Sequence, residues 1–205
     1  MRKKFYSLAL VLILLAAACL PVSAANGYGG YAVYRDGVTP GAPSLEWHAA
    51  IMQRPSADYT QPIIHHPGGS SYVKRDSWSN FIAGNNFKGI YRPNDKAKFL
   101  DRTDFVVDMA RRLAAENIEY VFLRQIEYTT TDGYSVYPED ITHIRCDGVI
   151  EYCYEYYGLR VFGGDNNWNI TNAGSSNRTA HLLCTPRYQA GKMTLVSLSK
   201  PTGYK

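Results

Sequence analysis

Arg145-Cys146-Asp147-Gly148-Val149-Ile150-Glu151-Tyr152-Cys153-Tyr154-Glu155-Tyr156-Tyr157-Gly158 is the stretch whose reading decides the fold. At about 100° per residue, Cys146, Val149, Ile150, Cys153 and Tyr157 share one face of a helix, while Asp147, Glu151 and Glu155 share the other. Gly158 supplies the C-terminal stop. The spacing therefore predicts an amphipathic helix of about three turns, with a cysteine in its first turn at the edge of the buried face. Backbone N–H groups at a helix N-terminus stabilise an anion, which biases such a thiol toward the nucleophilic thiolate. The plainer reading of the same cysteine is a small hydrophobe at the end of a core helix.

The start of the chain reads as a secretory leader. Arg2, Lys3 and Lys4 precede an apolar run from Leu8 to Leu20, and Val22-Ser23-Ala24 fits a small-x-small cleavage site. The run is too short for a comfortable membrane span. Ala16-Ala17-Ala18-Cys19 loosely resembles a lipoprotein cleavage box without its usual leucine. Residues 1–24 are thus expected to be a signal peptide, and 25–205 a single exported domain long enough for a substantial core. The whole chain carries 22 basic and 18 acidic residues, but the leader holds three of the basic ones, leaving 19 against 18. That balance, with no Lys/Arg run interleaved with aromatics, argues against a nucleic-acid partner. Cys146, Cys153 and Cys184 remain after export, and an odd count in an oxidising compartment leaves at least one thiol unpaired. A Cys153–Cys184 bridge is one possible pairing.

Upstream, 31–34 reads as a short strand and 45–52 as a buried strand containing His48. Pro62-Ile63-Ile64-His65-His66-Pro67 reads as a second short strand that ends at a turn, which 71–74 could extend. A helical turn is expected over 78–82 and a strand over 89–93. Phe105, Val106, Met109, Ala110, Leu113 and Ala114 recur at helical spacing, which predicts the long helix over 101–116 with Asp101 or Thr103 as N-cap. A short apolar segment, 118–123, precedes a loop from Thr129 to Cys146. The tail offers strand candidates at 181–184 and 192–198. No repeat or linker divides the chain, and the order of elements argues for a compact α+β domain.

A cysteine hydrolase needs a thiolate, an imidazole to activate it and later protonate the leaving group, and a polar group to orient that imidazole. Cys146 is the candidate nucleophile; His48, His65, His66, His143 and His181 are the candidate imidazoles. Alternation in a strand turns His65 and His66 to opposite faces, so only one of them can serve. His143 reads as loop surface. Histidine and cysteine are also zinc ligands, but the familiar short ligand spacings are missing, and no metal or other cofactor is expected.

Arg-Cys-Asp-Gly-Val-Ile-Glu-Tyr-Cys-Tyr from Arg145 resembles the nucleophile helix of the NlpC-type papain-like cell-wall peptidases, usually Asp-Cys-Ser-Gly-hydrophobic. Trp47-His48-Ala49-Ala50-Ile51-Met52 resembles that family's Gly-His-Val-Gly-Ile-Tyr strand, and Ile63-Ile64-His65-His66-Pro67-Gly68 its Phe-Ile-His-Ala-Pro-Gly strand. Helix 101–116 with Glu119-Tyr120-Val121-Phe122 resembles the segment that precedes the cysteine. Both histidine strands come before the cysteine here, the order of the circularly permuted, YiiX-type branch. The resemblance implies a permuted papain-like fold, an antiparallel sheet packed on the nucleophile helix and a second helix. It implies Cys146 as nucleophile, His48 as general base, His65 as its orienting partner, and Tyr120 near the oxyanion site. It also implies an exported or envelope-associated enzyme acting on an amide, with peptidoglycan stem peptides as the class the family suggests. Asp147 stands where the family has serine, Arg145 where it has aspartate, and Leu123-Arg124 replaces its Gly-Gly. Those departures support the alternative of a catalytically inactive binding domain on the same fold.

Overall fold

The structure, a computed structural model, describes residues 27–37, 47–54, 60–130, 133–163, 169–173 and 184–204. The expected leader with Cys19, the first two residues of strand 45–52, and His181 lie outside the described residues. Along the chain run β1 (Ala32–Asp36), β2 (Trp47–Met52), β3 (Ile63–His65), β4 (Lys74–Asp76), α1 (Trp78–Ile82), β5 (Phe87–Arg92) and α2 (Lys96–Leu113). They are followed by β6 (Ile126–Tyr128), β7 (Ile141–Ile144), α3 (Cys146–Glu155), α4 (Pro186–Gly191) and β8 (Thr194–Ser197). Six strands form one antiparallel sheet in the order β4-β3-β2-β1-β5-β8, and β6 pairs with β7 in a second. The domain is α+β.

Both faces of the large sheet are covered. Ala32, Tyr34, Ala49, Ile51 and Ile64 pack with residues of α2 and α3 in one core. Val33, Ala50, Met52, Ile63 and Ile90 pack with Trp78 and Phe81 of α1 in another. The period-2 alternation of a strand therefore sorts side chains between two interiors, not between interior and water.

Several boundaries differ from the sequence expectation. The long helix begins at Lys96, where the Asp95 side chain accepts the Lys98 N–H at 3.1 Å; neither Asp101 nor Thr103 is its cap. Pro93 closes β5 just upstream, and Phe99 extends the buried stripe about two turns toward the cap. The segment from Thr129 to Cys146, expected to be a loop, contains β7, which pairs with β6 just ahead of that segment; both strands are too short to carry a visible pattern. The tail holds α4, capped by Thr185, ahead of β8. Cys146, Cys153 and Cys184 are all buried free thiols, so the Cys153–Cys184 bridge does not form.

The largest correction concerns α3, which is buried on every side. Asp147, Glu151 and Glu155 do not face water. Gln189 of α4 donates to Glu151 Oε2 (2.7 Å) and to the Asp147 carbonyl (3.0 Å) while accepting the Tyr34 hydroxyl (2.9 Å). The Ile170 N–H donates to Glu155 (2.8 Å). Burial raises both glutamates above the usual carboxylate range, and each is further affected by the other. No helix among the described residues is long and apolar enough to cross a membrane.

Gly148 marks how closely α3 is seated, since a Cβ there would overlap the carbonyl oxygen of Gln125. Alanine ordinarily favours a helix by about 1 kcal/mol over glycine. Here the overlap dominates: Gly148→Ala is expected to destabilise by about 3 kcal/mol in urea denaturation. Gly191→Ala, where the same atom meets nothing, is expected to be neutral or mildly stabilising.

Candidate active site

The β2, β3 and β4 strands bring a line of polar groups together on the α1 side of the sheet. His48 and His65 both sit against Phe81, with ring centroids at 5.6 and 5.5 Å. His48 Nε2 and His65 Nδ1 are 2.7 Å apart, and His65 Nε2 lies 3.4 Å from Asp76 Oδ2. The β3–β4 register explains the geometry. His65 pairs with Lys74, so Asp76, two residues on, projects from the same face. Asp76 is held in turn by the Ser77 N–H (2.9 Å), Asn80 Nδ2 (2.7 Å) and Lys74 Nζ (3.0 Å). Sequence reasoning missed it, because only the register of two short strands brings it to His65.

The hydrogen bonds set the tautomers. Asp76, an acceptor only, takes the proton on His65 Nε2. His65 Nδ1 must then accept from His48 Nε2–H, which makes Nδ1 the basic nitrogen of His48. Burial lowers both imidazoles from their ordinary value, that of His48 strongly. The neighbouring His65 and Arg35 charges lower His48 further. His65, in contrast, is raised in part by Asp76. The bond to His65 is the first cause holding Asp76 well below the carboxylate range.

Cys146 opens α3 and is fully buried. The β2–β3 pairing covers only Ile51–Ile64 and Met52–Ile63, and the N–H of Ala49 is directed to the Cys146 sulfur, as is that of Asp147. Cys146 thus meets β2 at the residue next to His48. It approaches from the α3 side, while His48 projects from the α1 side, so the two flank one stretch of backbone. The expectation of a thiolate at the helix N-terminus is not met. Burial, then the Asp147 charge, pushes the thiol up to about 12 against the opposing pull of Arg145 and the two N–H groups. The resting pair is a neutral thiol and a neutral imidazole.

Tyr120 lies near enough to Cys146 for a charge on the sulfur to act on its hydroxyl. Residue 119 bridges His143 of β7, and that ladder leads directly into α3. The Tyr120 hydroxyl is buried without a hydrogen-bond partner, and its ionisation is opposed by burial and then by the Cys146 charge. His66 is buried as well, on the opposite face from His65, with its ring 5.0 Å from that of Tyr120. The Gly68 N–H donates to its Nδ1 at 3.1 Å, and burial brings His66 down to about 4. His143 belongs to β7, not to a loop, between Glu119 and Glu127 at 3.5 Å each. Among the described residues no cluster of three or more His, Cys, Asp or Glu could hold a metal ion.

The two residues flanking Cys146 form one unit. Arg145 Nε and Nη2 donate to the two carboxylate oxygens of Asp147 at 2.6 and 2.7 Å, a bidentate pair almost fully shielded from water. Gln125 Nε2 donates to Asp147 at 3.0 Å, and Arg145 donates to the Phe122 and Cys184 carbonyls. No family model matches the sequence, and no curated protein or solved structure matches the chain.

Asp147→Asn would leave the Arg145 guanidinium buried without its counter-ion, at a cost of about 3–5 kcal/mol. The double variant Arg145→Gln with Asp147→Asn is expected to lose less than the two single variants together. A double-mutant cycle by chemical denaturation measures the difference.

Proposed function

We propose that this chain is an exported cysteine hydrolase that cleaves an amide bond through a thioester acyl-enzyme, on a circularly permuted NlpC-type papain-like fold. One observation carries the reading: the buried relay Asp76–His65–His48 ends on β2 at the residue before Ala49, whose N–H favours the Cys146 thiolate. Support for the permuted fold comes from the order of elements, with both histidine strands ahead of the cysteine helix.

In this reading, the thiol proton passes to His48 Nδ1 around the β2 backbone that the two groups flank, as the sulfur adds to the substrate carbonyl carbon. The carbonyl π electrons move onto oxygen, and the N–H of Cys146 and the hydroxyl of Tyr120 are the groups that would receive the oxyanion. An unpartnered buried hydroxyl is the resting state expected of such a donor. Collapse breaks the C–N bond, and the imidazolium gives its proton to the departing amine. Water, deprotonated by His48, then hydrolyses the thioester. His65 orients His48, and Asp76 holds His65. The neutral resting pair makes proton removal concurrent with attack, since no thiolate waits in the site. The resemblance points to peptidoglycan stem peptides as substrate, and the leader to action outside the cytoplasm.

A specific observation favours a second reading, a binding domain without catalysis: Cys146 has no exposed surface, and its thiol is raised. Intact-protein mass spectrometry after exposure to p-nitrophenyl acetate separates the two. Hydrolysis predicts an acetyl adduct on Cys146 that turns over, absent in Cys146→Ala and formed about 100-fold or more slowly in His48→Ala. Release of fragments from purified peptidoglycan, read by the same method, tests the substrate class. No adduct in the wild type, or one indifferent to His48, establishes the binding domain instead.

The pH profile has a defined sign. His48 acts as its neutral form and its value in the fold lies below 6.5, so acylation is expected to persist as pH falls through 6.5 and to decline only further into acid. Stopped-flow release of p-nitrophenol checks it; a rate that halves at pH 6.5 would contradict the burial of the base.

A further inference from the structure

Two buried arginines flank the site, and their electrostatic situations are opposite. Arg145 has Asp147, oxygen for nitrogen. Arg35, on β1 opposite His48 in the strand register, is 8% exposed and is bonded to no carboxylate among the described residues. Its Nη1 donates to the Asp36 carbonyl at 2.8 Å, its guanidinium lies 5.6 Å from the centre of the Phe81 ring, and its Nε is buried with no hydrogen-bond partner. The nearest acid, Asp36, is engaged elsewhere: Lys88 Nζ is 2.9 Å from its carboxylate, which also accepts the Asn86 N–H and side chain. Asp76, further along the relay, is held by His65, Lys74 and Asn80.

A guanidinium removed from water whose only hydrogen-bond acceptor among the described residues is a backbone carbonyl, and whose neighbouring acid Asp36 acts on it through space while bonded to Lys88 and Asn86, is under-compensated, and buried charges are ordinarily paired. Its field reaches the reacting groups, since it lowers both His48 and His65, and a charge on Cys146 would in turn stabilise it. Among the described residues, no carboxylate is bonded to this cation.

We propose that Arg35 is a specificity-determining residue that receives a carboxylate of the substrate next to the scissile carbonyl, so that the enzyme takes anionic amides in preference to neutral ones. The proposal rests on the hydrolase reading of Cys146 and His48. A guanidinium suits the role because its planar fork accepts a carboxylate in two parallel hydrogen bonds and cannot deprotonate. Such binding also brings a negative charge to the buried guanidinium, so the ligand relieves a cost already present in the fold.

The test compares two alkylating reagents that place the same carbon on Cys146, iodoacetate and iodoacetamide. Both react with the same thiolate, so the ratio of their rates cancels any effect of Arg35 on the thiol itself. The wild-type ratio is expected to exceed that of glutathione by about tenfold. Arg35→Gln should return it to within about twofold of glutathione, and Arg35→Lys should keep most of it. A wild-type ratio equal to that of glutathione, or one unchanged by Arg35→Gln, overturns the proposal. Labelling by neither reagent defeats the hydrolase reading, and a second measurement then decides the anion site by itself. N-acetylglutamate should raise the melting temperature of the wild type where N-acetylglutamine does not; equal effects overturn the proposal, also where Arg35→Gln does not fold.

Discussion

The Arg145–Asp147 ion pair is the constraint on which the position of Cys146 depends. Asp147 lies in the first turn of α3, where the free N–H groups favour a negative charge. Arg145 lies just outside, and its fork closes on that carboxylate while its remaining donors reach the Phe122 and Cys184 carbonyls. The Arg145 N–H also donates to the Gln125 carbonyl, and the Gln125 side chain returns to Asp147. One end of the helix is thus tied to the chain before β6 and to the chain before α4. Buried ion pairs are weak contributors to stability compared with apolar packing, but breaking one is expensive. What such a pair supplies is geometry: it leaves one seat for α3, with the sulfur against the N–H of Ala49.

That seat explains why the helix could be read from sequence while its surroundings could not. The helix that Cys146 opens, the stop at Gly158 and the two histidine strands follow from local patterns, and the structure has them. Periodicity also separated Asp147, Glu151 and Glu155 correctly onto one side of α3. It could not tell that α4 and the chain near Ile170 cover that side, because covering is a long-range event. The same holds for Asp76 and Arg35. Each reaches the site through antiparallel register, His65 against Lys74 and Arg35 against His48, and register is set by the whole sheet. Arg145 and Asp147 looked like two separate departures from a family pattern. In space they are one ion pair, and each compensates the buried charge of the other.

The His65–His66 pair shows how alternation should be applied to a sheet buried on both faces. The strand does turn them to opposite sides, as the period requires. The further step, that only one points inward, assumes that the other side is water. Here His65 enters the α1 core and bonds His48, while His66 enters the α3 core and meets the ring of Tyr120. Two histidines in succession are therefore both lowered by burial, and neither is a surface residue.

The electrostatics around Cys146 are a contest that burial wins. A helix N-terminus, two N–H groups and Arg145 all favour the thiolate, yet full removal from water, with the Asp147 carboxylate beside it, outweighs them. The same desolvation keeps His48 neutral, so the proton remains on sulfur and the site stores no ion pair at rest. Charge separation inside such a pocket becomes favourable only when something arrives to stabilise it. In the proposed hydrolase a substrate carbonyl would do so by drawing the sulfur's electrons into a bond, leaving an imidazolium whose far nitrogen donates toward His65, and through it toward Asp76. Arg35 enters this balance with the wrong sign for that imidazolium, since its charge opposes protonation of His48. A substrate anion seated on Arg35 would cancel that opposition at the step where His48 must become charged, and so couple recognition of the ligand to activation of the base.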